Sequence, residues 1–424
     1  MINIINKFFT SSNNEDSINF KLKKLSEVSE IAKIFKLINY YSEDSEVRYV
    51  GGCIRRALKN EKIDDIDLAT NVDPKILCEI LKKNNISFYE SGIEHGTITA
   101  NINNQLLEIT TLRKDVSTDG RHASVKFSKN WFEDASRRDF TINSIYSDIN
   151  GNLFDPFDGK KDLEKGIVKF IGNSEKRIQE DYLRILRYIR FFLIYSKHKH
   201  SEELKKNIKK NIKGISKISS ERLLDELKKL FLSDGFLKLI NDNFCLETIE
   251  IIFPQLKNLN IFKNLNEKKK EIIKSKDFIF LLSLSIIDET DNCDYFLYKY
   301  NLSNENKKKI KFFQKYCSKK IDKYLLDKKN LKKILYFYQT EYLIDLIDFC
   351  IIKNIGSLEK NIKLRDFFRK EPIPRLNVNA KYLMEKFNLK EGKELGEKLK
   401  KIEDYWINNS FSIKDKEIEK IVKD

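Results

Sequence analysis

The sequence predicts an α+β fold in the N-terminal part of the chain, followed by an all-α C-terminal part. The 424 residues change composition near residue 200: nine of the 14 glycines lie at or before Gly172, and 11 of the 15 arginines lie at or before Arg190. Beyond that point Lys, Leu, Ile and Asn recur at helical spacing. Apolar residues make up 41% of the chain, enough to bury a sizeable core, which excludes a disordered or collagen-like protein.

The first part begins with alternating helices and strands. A helix over roughly 24–40 precedes a predicted strand at Val47–Val50, and the pair Gly51-Gly52 then opens a short helix. Asp65 to Thr70 has the pattern of a second strand. Pro74 starts the next helix at its first turn, where the missing N–H of proline costs nothing.

A hairpin follows these elements. The segments from Gly96 to Asn101 and from Gln105 to Leu112 alternate polar and apolar residues, with Asn103-Asn104 as the turn. The stretch from Asp115 to Lys129 is polar and without periodicity, so it is predicted to be a mobile loop.

Helical periodicity dominates from Glu175 onward. A long helix is predicted through Tyr195, several amphipathic helices follow to about residue 355, and Pro372 and Pro374 precede a last helical segment that ends at Asp424. These changes predict five regions: an N-terminal extension (1–25), an α+β head (26–170), a helical neck (171–255), a helical body (256–355) and a helical tail (356–424).

The charge balance indicates a polyanionic partner. The chain has 80 Lys and Arg against 64 Asp and Glu, a formal charge of +16, which is typical of proteins that bind nucleic acid or an anionic membrane surface. A membrane protein is not expected, because no apolar run approaches the roughly 18 residues of a membrane span. The longest candidate, Phe278 to Ile287, contains two serines and is predicted to be a buried helix.

Cysteine usage and the N-terminus favour a cytoplasmic protein. The first 20 residues lack the features of a signal or transit peptide. The six cysteines have neither CxxC pairs nor zinc-ligand spacing, so we expect reduced, mostly buried thiols and neither zinc nor haem. They are Cys53, Cys78, Cys245, Cys293, Cys317 and Cys350.

The first chemical constellation combines a glycine pair with acidic residues. Gly51-Gly52 after a strand allows close approach of a phosphate, which Arg55 could clamp. Asp65 and Asp67, two residues apart on a strand, would project to one face and present the oxygen ligands that Mg²⁺ prefers. Glu108 could supply a third carboxylate. Taken alone, either pair is better explained by a turn and a solvated acidic strand end than by a site.

Two further constellations are rich in arginine. In the first, Arg137-Arg138 could hold phosphates, and Asp139 would orient the two arginines. In the second, Asp181 and Arg184 would share one helix face at i and i+3. Arg187 and Arg190 continue that row of arginines. A surface ion-pair cluster would explain either group by itself.

Together these motifs resemble the class II tRNA nucleotidyltransferases, which include the CCA-adding enzymes. The resemblance covers roughly residues 47–195. It rests on the order and intervals of Gly51-Gly52 with Arg55, Asp65-Ile66-Asp67, Arg137 to Asn143, Asp155 to Gly159 and Glu180 to Arg190, and on the bacterial-type segments Gly92 to Thr97, Glu108 to Arg113 and Thr118 to Ala123. A weaker likeness returns from Gly392 through Trp406. Two positions depart from the family pattern: Arg56 replaces a common Asp, and Asp158 replaces a usual Gly.

The resemblance implies a polymerase-β-like head and a role for each matching residue. Gly52 and Arg55 would contact the nucleotide, and Asp65 and Asp67 would bind Mg²⁺, with Glu108 as a further catalytic carboxylate. The remaining assignments would be triphosphate binding by Arg138, Arg187 and Arg190, and base reading by Asp181 and Arg184. The implied substrates are CTP and ATP, and the implied partner is tRNA, gripped by the helical body and tail.

The chemistry of the bases agrees with this reading. Cytosine and adenine both present an exocyclic amine donor beside a ring-nitrogen acceptor, so Asp181 can accept from the amine while Arg184 donates to the ring nitrogen. Uracil and guanine present the reverse pattern and would leave both side chains unpaired, which costs enough for strong discrimination.

The function predicted from the sequence is template-independent addition of C, C and A to the tRNA 3′ end by two-metal nucleotidyl transfer. The alternatives are a poly(A) polymerase, an enzyme that adds only CC or only A, and a non-catalytic RNA-binding protein. An appended phosphohydrolase domain is not expected, because none of the four histidines is followed by Asp.

Overall fold

The computed structural model describes residues 29–63, 65–118, 123–317 and 324–423. It divides into two compact units, one up to Ile252 and one from Phe253 onward. The first unit contains a mixed sheet with flanking helices and then a set of helices, and the second is helical in its described residues. The predicted fold class is therefore confirmed, whereas the five-region division stays a prediction.

The first unit contains ten α-helices and nine strands in its described part. They are α1 (Ser29–Asn39), β1 (Val47–Val50), α2 (Gly52–Leu58), β2 (Asp67–Thr70), α3 (Pro74–Lys83), β3 (Ser87–Gly92), β4 (Thr97–Ile102), β5 (Gln105–Thr111), β6 (Arg113–Thr118), β7 (Ala123–Phe127), α4 (Trp131–Arg137), β8 (Tyr146–Ser147), β9 (Leu153–Phe154), α5 (Gly159–Lys165), α6 (Ser174–Glu180), α7 (Leu183–Tyr195), α8 (Glu202–Asn211), α9 (Ser220–Phe231) and α10 (Asn243–Ile252).

The second unit is built from α-helices in the residues that the structure describes. They are α11 (Glu267–Lys274), α12 (Phe278–Ile286), α13 (Asn292–Lys299), α14 (Asn304–Cys317), α15 (Lys328–Ile352), α16 (Leu358–Phe368), α17 (Ala380–Phe387), α18 (Lys393–Asn408) and α19 (Asp415–Lys423). As predicted, the apolar segment from Phe278 forms a fully buried helix. In the described part of the chain, no helix combines the length and apolar composition needed to cross a bilayer. All six cysteines are free thiols, as expected.

The main sheet places β2 at its centre. Its strand order is β3-β4-β5-β2-β1-β8-β9, in which β2 and β5 run parallel and the other neighbours run antiparallel. One face packs on α1 and α3 through a core that includes Phe35, Tyr49 and Leu77, each at most 1% exposed. The predicted strand at Val47–Val50 and the hairpin turn at Asn103-Asn104 are confirmed, and both turn residues have positive φ. Pro74 stands at the start of α3, where Asp73 caps the helix.

Four expectations about the elements need correction. The strand predicted from Asp65 begins at Asp67. The loop predicted from Asp115 to Lys129 contains parts of the strands β6 and β7, which pair antiparallel in a two-stranded sheet, and its residues 119–122 lie outside the described residues. The helix predicted from Glu175 to Tyr195 is interrupted at Asp181-Tyr182. No helix covers 372–379, so the last helical segment begins at Ala380. The predicted start of the first helix, residues 24–28, lies outside the described residues.

Asp158, where the family usually has glycine, has a backbone conformation that favours glycine. Asp158 has φ 55° and ψ 32°, the left-handed conformation that glycine adopts without strain, and its side chain makes no capping hydrogen bond to α5. The helix is instead capped by Asp155, whose carboxylate accepts hydrogen bonds from the backbone N–H groups of Gly159 and Lys160, both at 2.8 Å. The aspartate therefore keeps the loop geometry at an energetic cost.

We expect Asp158→Gly to stabilise the protein by about 0.5–1 kcal/mol, because it removes left-handed strain without removing a capping contact. Thermal and urea unfolding should both show the gain. Asp155→Ala is the matched control and should instead destabilise the protein by about 1 kcal/mol, since it removes the acceptor of two helix N–H groups. A lower midpoint for Asp158→Gly would contradict this explanation.

Candidate functional site

A cleft of about 1000 Å³ in the first unit gathers nine of the ten residues that the sequence singled out. They are Gly52, Arg55, Asp65, Asp67, Arg138, Asp181, Arg184, Arg187 and Arg190. The tenth, Glu108, lies on β5 beside β2 and is not among the lining residues. The cleft is lined by the turn before α2, the start of β2, the end of α4, and helices α7 and α9.

Three carboxylates meet at the central strand. Asp67 is the first residue of β2 and lies opposite Glu108 in the parallel ladder with β5. Asp65 precedes the strand instead of lying on it, so the predicted i, i+2 strand geometry does not hold, yet both aspartates face the same cleft. Burial, followed by the charges of Glu108 and Asp65, raises the pKa of Asp67 above its ordinary value, partly offset by Arg138 and Arg55.

This acidic group fits a divalent cation. No lysine or arginine of the described ranges forms an ion pair with Asp65, Asp67 or Glu108 within 4 Å. Carboxylate oxygens are the hard ligands that Mg²⁺ takes, and a cation there would relieve the mutual repulsion that raises the pKa of Asp67.

The glycine pair Gly51-Gly52 lies between Asp67 and Arg138. Gly51 has φ 68°, a left-handed conformation that turns the chain from β1 into α2 and favours glycine. A Cβ atom on Gly51 would lie 3.6 Å from Nη1 of Arg138, and one on Gly52 would lie 3.9 Å from Oδ2 of Asp67. The pair therefore leaves an open backbone surface between a carboxylate and a guanidinium group.

Asp134 holds Arg137 and Arg138, the role that the sequence had given to Asp139. One carboxylate oxygen of Asp134 accepts from Nη2 of Arg137 at 2.7 Å, and the other accepts from Nη2 of Arg138 at 3.1 Å and from the Tyr146 hydroxyl at 2.6 Å. The Asp134 side chain is only 1% exposed. Burial alone would raise its pKa, but the charges of Arg138 and Arg137 hold the pKa of Asp134 far below its ordinary value.

Asp139 is instead part of a chain of hydrogen bonds across the cleft. The Arg55 guanidinium donates to Oδ1 of Asn143, and Nδ2 of Asn143 donates to Asp139 at 2.9 Å. Nε of Arg187 donates to the second oxygen of Asp139 at 2.7 Å. Although burial opposes ionisation, the charge of Arg187 lowers the pKa of Asp139 to about 2. Arg55 also lies over the rings of Phe191 and Tyr195, at 4.6 and 5.3 Å from their centroids.

Glu226 on α9 extends this chain of hydrogen bonds, and the sequence had not identified it as a site residue. Its carboxylate accepts from Nε of Arg190 at 2.5 Å and lies 3.9 Å from Nη1 of Arg187, and its side chain is 3% exposed. A signal was available, because Glu226 falls on the apolar face of α9 between Leu223 and Leu230, both of which are buried. A carboxylate at such a position is rarely tolerated without a partner.

The interruption between α6 and α7 changes the arrangement of Asp181 and Arg184. Asp181 has extended backbone angles (φ −153°, ψ 104°) at the end of α6, so the two residues do not share a helix face as predicted. Asp181 pairs with Arg222 of α9, whose Nη2 lies 2.7 Å from Oδ2. Nη1 of Arg184 donates to Glu180 at 2.7 Å and to the backbone carbonyl of Arg177 at 2.8 Å. Both side chains still line the cleft.

A second polar cluster lies among α7, α10 and the segment that contains His200. His200, Asp242 and Cys245 bring three groups that can bind metal within 4.8 Å of one another, although the sequence spacing gave no such signal. They are already hydrogen bonded: Nε2 of His200 lies 3.0 Å from Asp242, and Nδ1 lies 2.8 Å from the Tyr188 hydroxyl. We interpret the cluster as a structural link between helices.

The family comparisons match the two parts of this unit. Residues 47–169 match the family described as "Poly A polymerase head domain", and residues 200–260 match "Probable RNA and SrmB- binding site of polymerase A". The first match covers the acidic strand, the glycine turn and Arg138. The second covers α9, which carries Glu226 and Arg222.

Individual proteins extend the likeness to most of the chain. The chain is 41% identical to the mouse (Mus musculus) mitochondrial CCA tRNA nucleotidyltransferase 1 over 58% of its own length, and it matches little more than half, 57%, of that relative. With the zebrafish (Danio rerio) protein of the same name it shares 32% identity over 88% of this chain and 86% of the relative.

A solved structure has the same fold. The Bacillus stearothermophilus CCA-adding enzyme in complex with CTP aligns with a TM-score of 0.65 and 22% identity, covering 90% of this chain and 93% of that one. The motifs in one cleft, the matched head and the identity to the zebrafish protein across nearly its whole length lead to one conclusion. The chain belongs to the class II tRNA nucleotidyltransferases, the family of the CCA-adding enzymes.

Proposed function

We propose that this protein adds C, C and A to the 3′ end of tRNA, using CTP and ATP. The observation that carries the proposal is the single cleft in which an acidic strand end faces a set of arginines, with Asp181 and Arg184 on its wall. The names of the mouse and zebrafish relatives describe this activity, and the Bacillus structure contains CTP.

In the reaction, the 3′-hydroxyl of tRNA attacks the α-phosphorus of the nucleotide. A bond forms between the 3′-oxygen and this phosphorus, the bond to the β-phosphate oxygen breaks, the hydroxyl proton is released, and pyrophosphate leaves. Asp65 and Asp67 would hold divalent cations, for which we propose Mg²⁺, with Glu108 close to Asp67. When bound there, two such ions would lower the pKa of the attacking hydroxyl and neutralise the leaving group.

The arginines would bind the triphosphate. Arg138 lies beside the glycine turn, and Arg187 and Arg190 line the same cleft from α7. Their buried carboxylate partners, Asp134, Asp139 and Glu226, fix the side chains before a nucleotide arrives. Arg55, held by Asn143, would reach the nucleotide from the other wall.

Base selection would rest on Asp181 and Arg184. The carboxylate would accept the exocyclic amine of cytosine or adenine, and the guanidinium group would donate to the ring nitrogen. Because Arg184 donates to Glu180 and to a backbone carbonyl in this structure, we expect its side chain to shift when a base binds.

The test uses three tRNA transcripts that end before CCA, after C and after CC. Each is incubated with the protein, Mg²⁺ and one labelled nucleotide, or with CTP and ATP together, and the products are resolved at one-nucleotide steps. The proposal predicts two C additions, then one A, then arrest. Addition of C alone or of A alone would make the protein half of a split pathway, and no addition to any substrate would favour a non-catalytic RNA-binding protein.

A poly(A) polymerase is the second candidate, because the matched head family carries that name. Long A tails on the transcript that ends in CC would favour it. Two further predictions from the sequence stay predictions: tRNA binding by the C-terminal helices and a cytoplasmic location. The mouse and zebrafish relatives are, by contrast, named as mitochondrial.

A further inference from the structure

One ion pair in the cleft has no place in the roles assigned so far. Nη2 of Arg222 donates to Oδ2 of Asp181 at 2.7 Å, linking α9 to the interruption between α6 and α7. Both side chains line the cleft. The pair joins the carboxylate that would read the base to a residue that the sequence did not single out.

Asp181 depends on side-chain contacts for its orientation. It lies in an extended segment between two helices, so no helical backbone fixes its direction. Among the described residues, the other hydrogen bond to its carboxylate comes from the backbone N–H of Leu183, a long contact at 3.2 Å. Without Arg222, the carboxylate would have only this weak local restraint.

We propose that Arg222 is a specificity-determining positioning residue, which fixes the Asp181 carboxylate so that its remaining lone pairs face the base. This inference rests on the proposed function. A carboxylate has about four acceptor sites, so Asp181 can accept from Arg222 and from a base amine at the same time.

The restraint matters most for the wrong bases. A fixed carboxylate cannot turn away from the carbonyl oxygen of uracil, so the mismatch leaves two acceptors facing each other. A carboxylate that is free to rotate can avoid this contact and let water fill the gap. Loss of Arg222 should therefore raise the use of UTP while reducing the use of CTP only moderately.

The ion pair is exposed enough to be removed without unfolding the protein. The side chains of Arg222 and Asp181 are 39% and 24% exposed, and ion pairs with such exposure contribute little to stability. A change in nucleotide choice can therefore be separated from a change in folding.

The experiment measures kcat/KM for CTP and for UTP on the transcript that ends before CCA. For Arg222→Met we expect the ratio of kcat/KM for CTP to that for UTP to fall about tenfold or more, because a binding site rejects a substrate strongly when its fixed polar groups would be left unpaired. Arg222→Lys keeps the charge and one hydrogen bond, and should recover most of the ratio. Glu221→Gln, an exposed neighbour outside the cleft, is the matched control and should leave the ratio unchanged.

A cycle with Asp181→Asn shows whether Arg222 acts through Asp181. If it does, adding Arg222→Met to Asp181→Asn should change the ratio by less than about twofold, since coupled residues are not additive. An unchanged ratio in Arg222→Met, or an equal loss with CTP and UTP, would overturn the inference and indicate a phosphate contact instead.

Calorimetric binding of CTP and UTP to wild type and to Arg222→Met separates this inference from the proposed function. A wild-type protein that adds no nucleotide would count against the function. The ratio of the two binding constants would then still decide the role of Arg222: a fall in Arg222→Met supports it, and an unchanged ratio overturns it.

Discussion

Asp67→Asn is expected to reduce the rate of nucleotide transfer by about a thousandfold or more while leaving the fold intact. The substitution removes one negative charge where the cations of the reaction would bind, and metal assistance contributes several kcal/mol to such transfers. The stability should be unchanged or slightly higher without metal, because burial and Glu108 already disfavour the charged form of Asp67. Single-turnover addition of labelled CTP and thermal unfolding in EDTA measure the two effects.

The matched control for this prediction is Asp44→Asn. Asp44 is an exposed aspartate outside the cleft, so its variant should keep the activity of the wild type. Activity above about a tenth of wild type in Asp67→Asn would remove Asp67 from the proposed metal site. A strong loss of stability would show that its charge has a structural role instead.

Asp134→Ala is expected to lower the free energy of unfolding by about 3–5 kcal/mol, since removing one partner of a buried ion pair leaves uncompensated charge. The loss would leave Arg137, Arg138 and the Tyr146 hydroxyl without their common acceptor. Transfer activity should fall as well, because Arg138 would no longer be held toward the glycine turn. Urea unfolding checks the first effect, and CTP addition checks the second.

Glu133→Ala is the control for Asp134→Ala, on the same turn of α4. Glu133 is 38% exposed and accepts from Ser128, so its loss should cost much less stability than the loss of Asp134. A similar cost for both variants would mean that the burial of Asp134 does not set the strength of its contacts.

The same carboxylates predict loss of stability in acid. The pKa of Asp139 is lowered to about 2 and that of Asp134 lies lower still, whereas unfolded aspartate titrates near 4. A depressed folded-state pKa gives stability that is complete above the unfolded value and is lost as the pH falls toward the folded one. The urea midpoint should therefore fall between about pH 4 and pH 2, and less steeply in Asp139→Asn.

The sequence was informative where local pattern determines structure. The strand at Val47–Val50, the turn at Asn103-Asn104 and the buried helix from Phe278 follow from alternation, turn chemistry and apolar content. Most candidate site residues also lie in one cleft. They could be picked out from the sequence because arginines and paired carboxylates stand out against its lysine-rich background. The roles of these residues in catalysis and binding stay predictions.

Several of the failures concern partners that are distant in sequence. Asp139 was expected to orient its neighbours Arg137 and Arg138, but it pairs with Arg187, 48 positions away, while Asp134 takes the expected role. The interruption at Asp181 was missed because helical periodicity continues on both sides of it. Arg222 pairs with Asp181 across 41 positions, a contact that only the packing of α9 creates. Local pattern carries no information about such pairs.

The chain of hydrogen bonds from Arg55 to Arg190 has a consequence for repeated rounds of the proposed reaction. Its carboxylates are nearly inaccessible, with side chains of Asp139 and Glu226 at 8% and 3% exposed, whereas Asp181 is more open and held by a single side chain. These carboxylates hold Arg187 and Arg190 in place, so little reorganisation energy would be required when the proposed triphosphate binds. In the proposed reaction the arginines that bind the triphosphate would therefore keep one arrangement through three successive additions, and only the contacts of Asp181 and Arg184 with the base would differ between C and A.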